Sequence, residues 1–419
     1  MKEVIVIEGG KKLNGTVRIS ASKNATVALI PASILATNVV TIRDVPNIAD
    51  VRSLIKLLEC LNVRVVTTKE GHIIIEPNDI INVTLDNHYV SKLRASYYFM
   101  GAILGRFKEV KMKMPGGCYL GPRPIDLHLK GFEALGAKIT YDKGFIHIKA
   151  DRLVGAKIYL DIASVGATTN ILMAAVLAEG RTVIENAAKE PEIIDVSLML
   201  NNMGAKIRGA GTSEIIIDGV SELKGCVHEI IPDRIEAGTY LIMAAACAEK
   251  VIIENIIPAH LDSLLAKLIE MNVNIDVDVD KITVIGGNKL VACNVKTAPY
   301  PGFATDLQQP LSTLMVLANG VSKVKDTIYS ERFLNCYQLQ KMGANIEVND
   351  GGSTITGPSK LYGDEVIASD LRCGAALVIA GLVAQGTTTI SDIYHIDRGY
   401  DKLDIKLKKL GASINRVKR

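Results

Sequence analysis

The sequence predicts an α/β protein of two halves, each built from three copies of one helix–strand unit. Three observations carry that reading. A short phrase recurs six times at near-constant spacing. Each copy is flanked by helical and strand-like segments in the same order. The apolar content is aliphatic: the chain has 419 residues, 48% of them apolar but only 5% aromatic, with no Trp. The cores are therefore expected to be Ile, Val, Leu and Ala, and stacking platforms for single strands or sugars are not expected.

The phrase reads Leu61-Asn62-Val63-Arg64-Val65, Leu135-Gly136-Ala137-Lys138-Ile139 and Met203-Gly204-Ala205-Lys206-Ile207. It returns as Met271-Asn272-Val273-Asn274-Ile275, Met342-Gly343-Ala344-Asn345-Ile346 and Leu410-Gly411-Ala412-Ser413-Ile414. The Asn or Gly positions are separated by 74, 68, 68, 71 and 68 residues. Each phrase closes an amphipathic helix, with Gly or Asn where a left-handed residue is needed. A strand follows, then usually a turn and a second strand, as expected at 138–141 with 145–149 and at 206–208 with 214–218. Another strand precedes each of these helices, at 41–43, 110–114, 182–184, 251–254, 321–325 and 388–391. Before it comes a helix rich in small residues, starting near Ser22, Ser91, Ser164, Asp233, Thr305 and Ser369.

The sixth unit runs out after its Ile414 strand, while residues 4–8 form a strand with no unit before it. The N-terminal strand is thus expected to complete the last unit. One half is then discontinuous, residues 1–22 with 232–419, and closed by both termini. The other, residues 23–231, is inserted and carries a loop around Cys118. Six stacked solenoid units are the rival, but solenoid repeats run to about 20–45 residues, shorter than these.

Composition excludes several functions. Lys and Arg number 48 against 45 Asp and Glu, a net charge of +3; a nucleic-acid binder carries a stronger basic excess. The short basic tail from Arg416 to Arg419 reads as a solvated terminus. Seven cysteines without C-x-x-C spacing and seven scattered histidines form no metal pattern. The odd, dispersed cysteines suit a reducing cytosol, and Met1-Lys2-Glu3-Val4 lacks a signal-peptide layout. The uncharged run 25–42 contains Pro31, Ser33, Thr37 and Asn38; it reads as a buried helix and a strand, not a membrane span. A cytoplasmic protein with no membrane or nucleic-acid partner, no metal and no cofactor is expected.

Chemistry gathers at the helix openings. Ser22-Lys23-Asn24, Lys92-Leu93-Arg94, Ser164-Val165-Gly166, Asp233-Arg234, Thr305-Asp306 and Asp370-Leu371-Arg372 occupy equivalent places. Ser, Asp and Thr there are ordinary caps, but Lys or Arg in a first turn opposes the helix dipole. Either these are solvated faces, or the helix starts line a cleft where N–H groups and cations hold an anionic, phosphorylated substrate. The second unit is longer than its siblings, with 22 residues from Met114 to Gly136 where the others need 17 to 19. The excess lies in Pro115-Gly116-Gly117-Cys118-Tyr119-Leu120-Gly121-Pro122-Arg123-Pro124, a loop with lid-like composition. Cys118 beside Arg123 reads as a reactive thiol in preference to a packed one. Asp306, after the rigid turn 300–303, is either a cap or a general base. Arg398, in the loop before the last helix, would by itself be read as solvated.

These segments together resemble the UDP-N-acetylglucosamine 1-carboxyvinyltransferases, the enolpyruvyl transferases that open peptidoglycan synthesis. The resemblance spans essentially the whole chain. It is most specific at Ser22-Lys23-Asn24-Ala25, Leu93-Arg94-Ala95-Ser96, residues 115–126, Ser164-Val165-Gly166-Ala167-Thr168, residues 231–238, Thr305-Asp306-Leu307-Gln308 and residues 395–399. Residues 26–31 and 94–98 are similar to the second-copy form of low-GC Gram-positive bacteria. The resemblance implies two inverse α/β, barrel-like domains, each of three pseudo-repeated βαβαββ units. It implies transfer of enolpyruvyl from phosphoenolpyruvate to the 3′-hydroxyl of UDP-N-acetylglucosamine, through a tetrahedral intermediate and with release of phosphate.

By the same resemblance, Cys118 is the loop proton donor and the site alkylated by fosfomycin. Asp306 is the base for the sugar hydroxyl. Lys23, Arg123 and Arg398, with Asn24 beside them, hold phosphoenolpyruvate; Lys23 and Arg398 count with Cys118 and Asp306 as catalytic. The sugar nucleotide meets Asn24, Arg94, Arg123, Pro124, Ile125, Asp126, Leu127, Ser164, Val165, Gly166, Asp306 and Ile328. Arg332 and Arg372 match further basic residues of the cleft. Phosphoenolpyruvate is a di- to trianion, so three fixed cations suit it, and Arg grips carboxylate or phosphate with paired bonds. Asp306 is ordinarily a weak base of about 3.9, and desolvation on closure is expected to raise it. The chain departs from the family at Ala304, usually Pro; Asn335, commonly His; Ile162, Lys in some members; and Ala21, frequently Gly. Two rivals remain: a catalytically silent regulatory paralogue, and the sister enzyme acting on shikimate 3-phosphate, which lacks the Gly-Gly-Cys loop.

Overall fold

The computed structural model describes residues 2–114 and 124–419. Among these, the strands form six small sheets, five of four strands and one of three. The order within a sheet repeats. In one, Lys157–Tyr159 runs parallel to Arg181–Glu185, which pairs antiparallel with Glu214–Asp218, and Lys206–Arg208 closes the edge. The strand before each unit's second helix thus lies beside the second arm of the hairpin that follows that helix.

The last sheet keeps this order with a substitute strand. Glu3–Glu8 lies antiparallel between Thr387–Ser391 and Ser413–Lys418, with Ile5 opposite Ile390 on one side and Arg416 on the other. The N-terminal strand completes the sixth unit, as the missing hairpin arm implied. Val4, Ile5 and Ile7 are buried.

Each recurring phrase ends its helix in the same way. Asn62, Gly136, Gly204, Asn272, Gly343 and Gly411 all lie in the left-handed region, with φ from 61° to 108°. Glycine meets no Cβ penalty there, and Asn tolerates it better than most residues. This shared turn directs the chain from each helix into its hairpin.

Four small-residue helices open as their sequences suggest. Ser22 Oγ accepts from Ala25 N, Ser164 Oγ from Ala167 N, Asp233 Oδ1 from Ile235 N and Glu236 N, and Asp370 Oδ1 from Arg372 N and Cys373 N. The second copy differs from expectation. It does not start near Ser91 as one helix. It is a short helix His88–Lys92, a 3-10 turn Arg94–Tyr97 and then the helix Tyr98–Phe107. Buried Leu93 is extended, at φ −118° and ψ 114°, and interrupts the helical run. The fifth copy, Thr305–Val316, starts on Ala304, which has no capping side chain.

By contact density the described chain divides into two compact units. One holds residues up to Ser20 and from Pro232 onward; the other holds those from Ala21 to Ile231. Each has its own aliphatic core: Ile5, Ile7, Ile253, Leu377 and Ile390 in the first, Ile103, Ile171, Leu200 and Ile217 in the second. The uncharged run is the helix Lys23–Ala32, a 3-10 turn Ser33–Leu35 and the strand Val40–Arg43. No described helix is long and apolar enough to cross a membrane.

If the N-terminal strand is a core strand of its sheet, Ile7→Ala destabilises its unit by about 2–5 kcal/mol, the range for emptying a buried aliphatic site. Lys2→Ala, at the exposed end, stays within about 0.5 kcal/mol. Urea unfolding of both variants checks this; an Ile7→Ala protein as stable as the parent would remove the strand from the last sheet.

Candidate active site

The unit that carries both termini is organised around Asp306. This residue is second in its helix and does not cap it, which decides against the cap reading. Its carboxylate is shared by two guanidinium groups. Arg332 Nη1 donates to Oδ1 at 2.7 Å, and Arg372 Nη2 donates to Oδ2 at 2.9 Å. The arginine side chains are 4% and 2% exposed, against 25% for Asp306.

A shell of polar side chains fixes this triad. Thr305 donates to Asp326 Oδ2 at 2.7 Å and accepts from Arg332 at 3.2 Å. Asp326 Oδ1 also takes Thr297 Oγ1 and the N–H groups of Ile328 and Tyr329. The Arg372 guanidinium lies 5.3 Å from the Tyr400 ring centre, a cation–π distance. Thr239 donates to the Ile235 carbonyl, so the Tyr400 hydroxyl, 2.9 Å away, donates to Thr239.

The Asp306 carboxyl departs from expectation. Burial favours its neutral form, but Arg372 and Arg332 outweigh burial and hold it well below the usual carboxylate range. The expected upward shift is not present in this arrangement, because two cations sit on the same carboxylate. A depressed carboxyl contributes stability above its unfolded pKa, and that contribution is lost only as pH falls through the lower folded value. Ala304 has φ −67°, the angle proline imposes, so the turn before Asp306 keeps its geometry without Pro. Asn335 is fully buried in the helix Leu334–Lys341.

Arg398 ends the 3-10 turn Ile393–Arg398 and is half-buried. Ile328 is 38% exposed. Arg416 overturns its reading as part of a solvated tail. Its side chain is 26% exposed, donates two bonds to Asp397 at 2.6 and 3.0 Å, and donates a third to Asp404 at 2.9 Å.

The other unit holds the remaining described candidates. Lys23, first in its helix, lies 3.5 Å from buried Asp50. A nearby carboxylate offsets the unfavourable helix-start charge. Asn24 follows, half-buried. Arg94, Ser164, Val165 and Gly166 come together through two aromatic residues that sequence reasoning missed. The Arg94 guanidinium is 5.6 Å from the Tyr97 ring, and Tyr97 meets His128 edge-on at 4.9 Å. A Cβ on Gly166 would stand 2.9 Å from both the Tyr97 hydroxyl and His128 Cε1, so only glycine lets them approach this helix start.

Asn170 orients the histidine. Its Oδ1 accepts from Gly101 N at 2.8 Å, which turns Nδ2 toward His128 Nδ1 at 2.9 Å. The imidazole proton is thereby assigned to Nε2. Burial, then the Arg94 charge, lowers the His128 pKa to about 3, so the ring is neutral at working pH. Nothing in the local spacing announces this cluster, whose members come from three separate elements. Ile125 is buried ahead of the helix Asp126–Ala134, Leu127 is half-buried, and Pro124 and Asp126 are exposed. Ile162 is 65% exposed.

Cys118 and Arg123 lie outside the described residues. The six described cysteines are free thiols. Burial pushes Cys247 and Cys336 up to about 12, which makes them poor nucleophiles. Among the described residues no group of three His, Cys, Asp or Glu side chains is placed to hold a metal ion.

Comparison with known proteins adds a family to this geometry. The profile of EPSP synthase (3-phosphoshikimate 1-carboxyvinyltransferase) matches residues 7–407. The chain is 57% identical over 413 residues to UDP-N-acetylglucosamine 1-carboxyvinyltransferase 2 of Bacillus subtilis, covering 98% of this chain and 96% of that one. It is 53% identical over 416 residues to the protein of the same name from Listeria monocytogenes, covering 99% and 98%. Among solved structures, the enolpyruvyl transferase NikO from Streptomyces tendae superposes with a TM-score of 0.91 at 24% identity, over 99% of both chains. EPSP synthase from Acinetobacter baumannii gives 0.74 at 18%, over 100% of both. Those two show the enolpyruvyl transferase fold, and the sequence relatives go further: the chain belongs to the UDP-N-acetylglucosamine 1-carboxyvinyltransferase family.

Proposed function

We propose that the chain transfers the enolpyruvyl group of phosphoenolpyruvate to the 3′-hydroxyl of UDP-N-acetylglucosamine, the first committed step of peptidoglycan synthesis. The observation that carries the proposal is the 57% identity over 98% of the chain to a protein named for that activity. In the proposed reaction the sugar oxygen adds to C2 of phosphoenolpyruvate while C3 gains a proton. Loss of phosphate and of a C3 proton then restores the double bond. Cys118 is the proposed donor to C3: a thiol of pKa about 8.5 is mostly protonated near neutrality. Lys23, Arg123 and Arg398 are the proposed grip on phosphoenolpyruvate. Asn24, Arg94, residues 123–127, Ser164, Val165, Gly166 and Ile328 are the proposed contacts of the sugar nucleotide.

Asp306 is the proposed acceptor of the sugar hydroxyl's proton. Held low by Arg332 and Arg372, it is a dependable carboxylate but a weak base. An anionic substrate competes with it for those guanidinium groups. Each contact so weakened raises the carboxyl toward useful basicity. The reading needs no metal, because fixed cations and helix N–H groups supply the electrostatic stabilisation. Free thiols throughout the described residues support a cytoplasmic setting.

Phosphate release with both substrates tests the whole proposal; turnover of shikimate 3-phosphate instead, or no turnover, rejects it. Asp306→Asn is expected to lower kcat by about 10²–10⁴-fold, the scale of general-base loss, while binding of UDP-N-acetylglucosamine largely persists; wild-type kcat would end the base assignment. Because Asp306 stays ionised well into acid, its protonation adds no loss of kcat/KM between about pH 5 and 7, and a limb in that window that Asp306→Asn abolishes would contradict this. Fosfomycin is expected to alkylate Cys118. Cys118→Ser then carries no adduct by mass spectrometry, and Cys118→Asp keeps turnover with resistance; an adduct on any other cysteine rules out the thiol assignment.

A further inference from the structure

The basic tail is the feature that the functional reading leaves unused. Arg416 lies on Ser413–Lys418, paired along its length with the N-terminal strand. Its guanidinium stands near three carboxylates, two of them off that sheet. It forks onto both oxygens of Asp397, donates through Nε to Asp404 of the helix Leu403–Lys409, and stands 3.9 Å from Glu3 Oε2. A bidentate Arg–carboxylate pair is among the more rigid polar contacts a protein makes.

Asp397 directly precedes Arg398 in the 3-10 turn Ile393–Arg398. Buried Ile393 and Ile396 anchor one side of that turn. Asp392, in the left-handed region at φ 54°, opens it and Gly399 closes it. Arg416 holds the other side. It donates to both Asp397 oxygens, one bond to each.

We propose that Arg416 is a positioning residue for Arg398: by clamping Asp397 to the terminal strand pair, it fixes the turn that presents Arg398 to phosphoenolpyruvate. The proposal rests on the reading of Arg398 as a phosphoenolpyruvate ligand. Arg416 touches no substrate and acts only through its neighbour.

Three full-length variants test it. Arg416→Gln removes the clamp and releases the Asp397 charge. Arg416→Lys keeps a cation but loses the fork. The double variant Arg416→Gln with Asp397→Asn removes the clamp and the stray charge together. Arg416→Gln is expected to raise KM for phosphoenolpyruvate about tenfold, with KM for UDP-N-acetylglucosamine within about twofold. Arg416→Lys falls between it and the parent, and the double variant recovers part of the loss. A residue that merely stabilises the fold would not split the two KM values or be rescued by Asp397→Asn.

Amide hydrogen exchange across residues 393–399 reads the clamp without reference to activity, and is expected to accelerate at least about tenfold in Arg416→Gln. Unchanged exchange overturns the proposal, and so does faster exchange with an unchanged KM for phosphoenolpyruvate. A wild-type chain that releases no phosphate defeats the functional reading instead, and the exchange rates still decide whether Arg416 holds the turn. Should Arg416→Gln fail to fold, Arg416→Lys carries both readouts.

Discussion

The carboxy-terminal unit depends on one strand pairing. Glu3–Glu8 fills the place that a hairpin arm occupies in the sibling sheets, between Thr387–Ser391 and Ser413–Lys418. Without it Ser413–Lys418 has no partner in the sheet and Thr387–Ser391 keeps only Glu365–Ile367, and Ile390 and Ile414 lose the apolar side chains packed beside them. The pairing also brings the two ends of the chain together. That places Arg416 over the turn of Arg398 and links the far N-terminus to a proposed ligand-gripping residue nearly four hundred positions later.

Charge is organised in the same economical way. Lys23 and Arg372 both lie in helix first turns, where the backbone dipole disfavours a cation. Each has a carboxylate in reach, Asp50 for one and Asp306 for the other. The net charge of +3 therefore says little about the local field. What matters is that cations are fixed by partners that have their own supports, as Asp326 holds the Thr305 hydroxyl that accepts from Arg332.

Much of the fold was legible because it rests on local rules repeated six times. The left-handed turn needs Gly or Asn, so Asn62, Gly136, Gly204, Asn272, Gly343 and Gly411 marked the unit boundaries. Caps at Ser22, Ser164, Asp233 and Asp370 were equally local. The missing arm of the sixth hairpin revealed the role of the N-terminal strand. What sequence reasoning lost was long-range. Arg416 looked like a tail residue because its partners are set by tertiary contacts, not by spacing. Asp306 looked like a cap or an ordinary base because neither Arg332 nor Arg372 is near it in the chain. Tyr97 and His128 left no mark, since a buried imidazole oriented by Asn170 has no periodic signature. The Ser91 helix start failed because extended Leu93 fits either a helix or a bend by its apolar character alone.

The arrangement at Asp306 has a consequence for binding. A single carboxylate cannot neutralise two guanidinium groups, so the triad carries one excess positive charge in a site where both arginines are almost fully buried. Asp370 is near enough to favour the charged form of Arg332. Its charge offsets part of that excess while its oxygens accept from the N–H groups of Arg372 and Cys373 and from Gln309, and Asp233 acts on Arg372 in the same sense. Burying an excess cation is costly unless another charge completes it. Arg332 Nε and Arg372 Nε also lack a hydrogen-bond partner among the described residues. Under the proposed function, an anionic substrate meets guanidinium groups that are already fixed, and its binding energy does not have to organise them. Under that proposal, a substrate that draws on these guanidinium groups loosens their hold on Asp306, so the charge that attracts it also keeps the proposed base weak until it arrives.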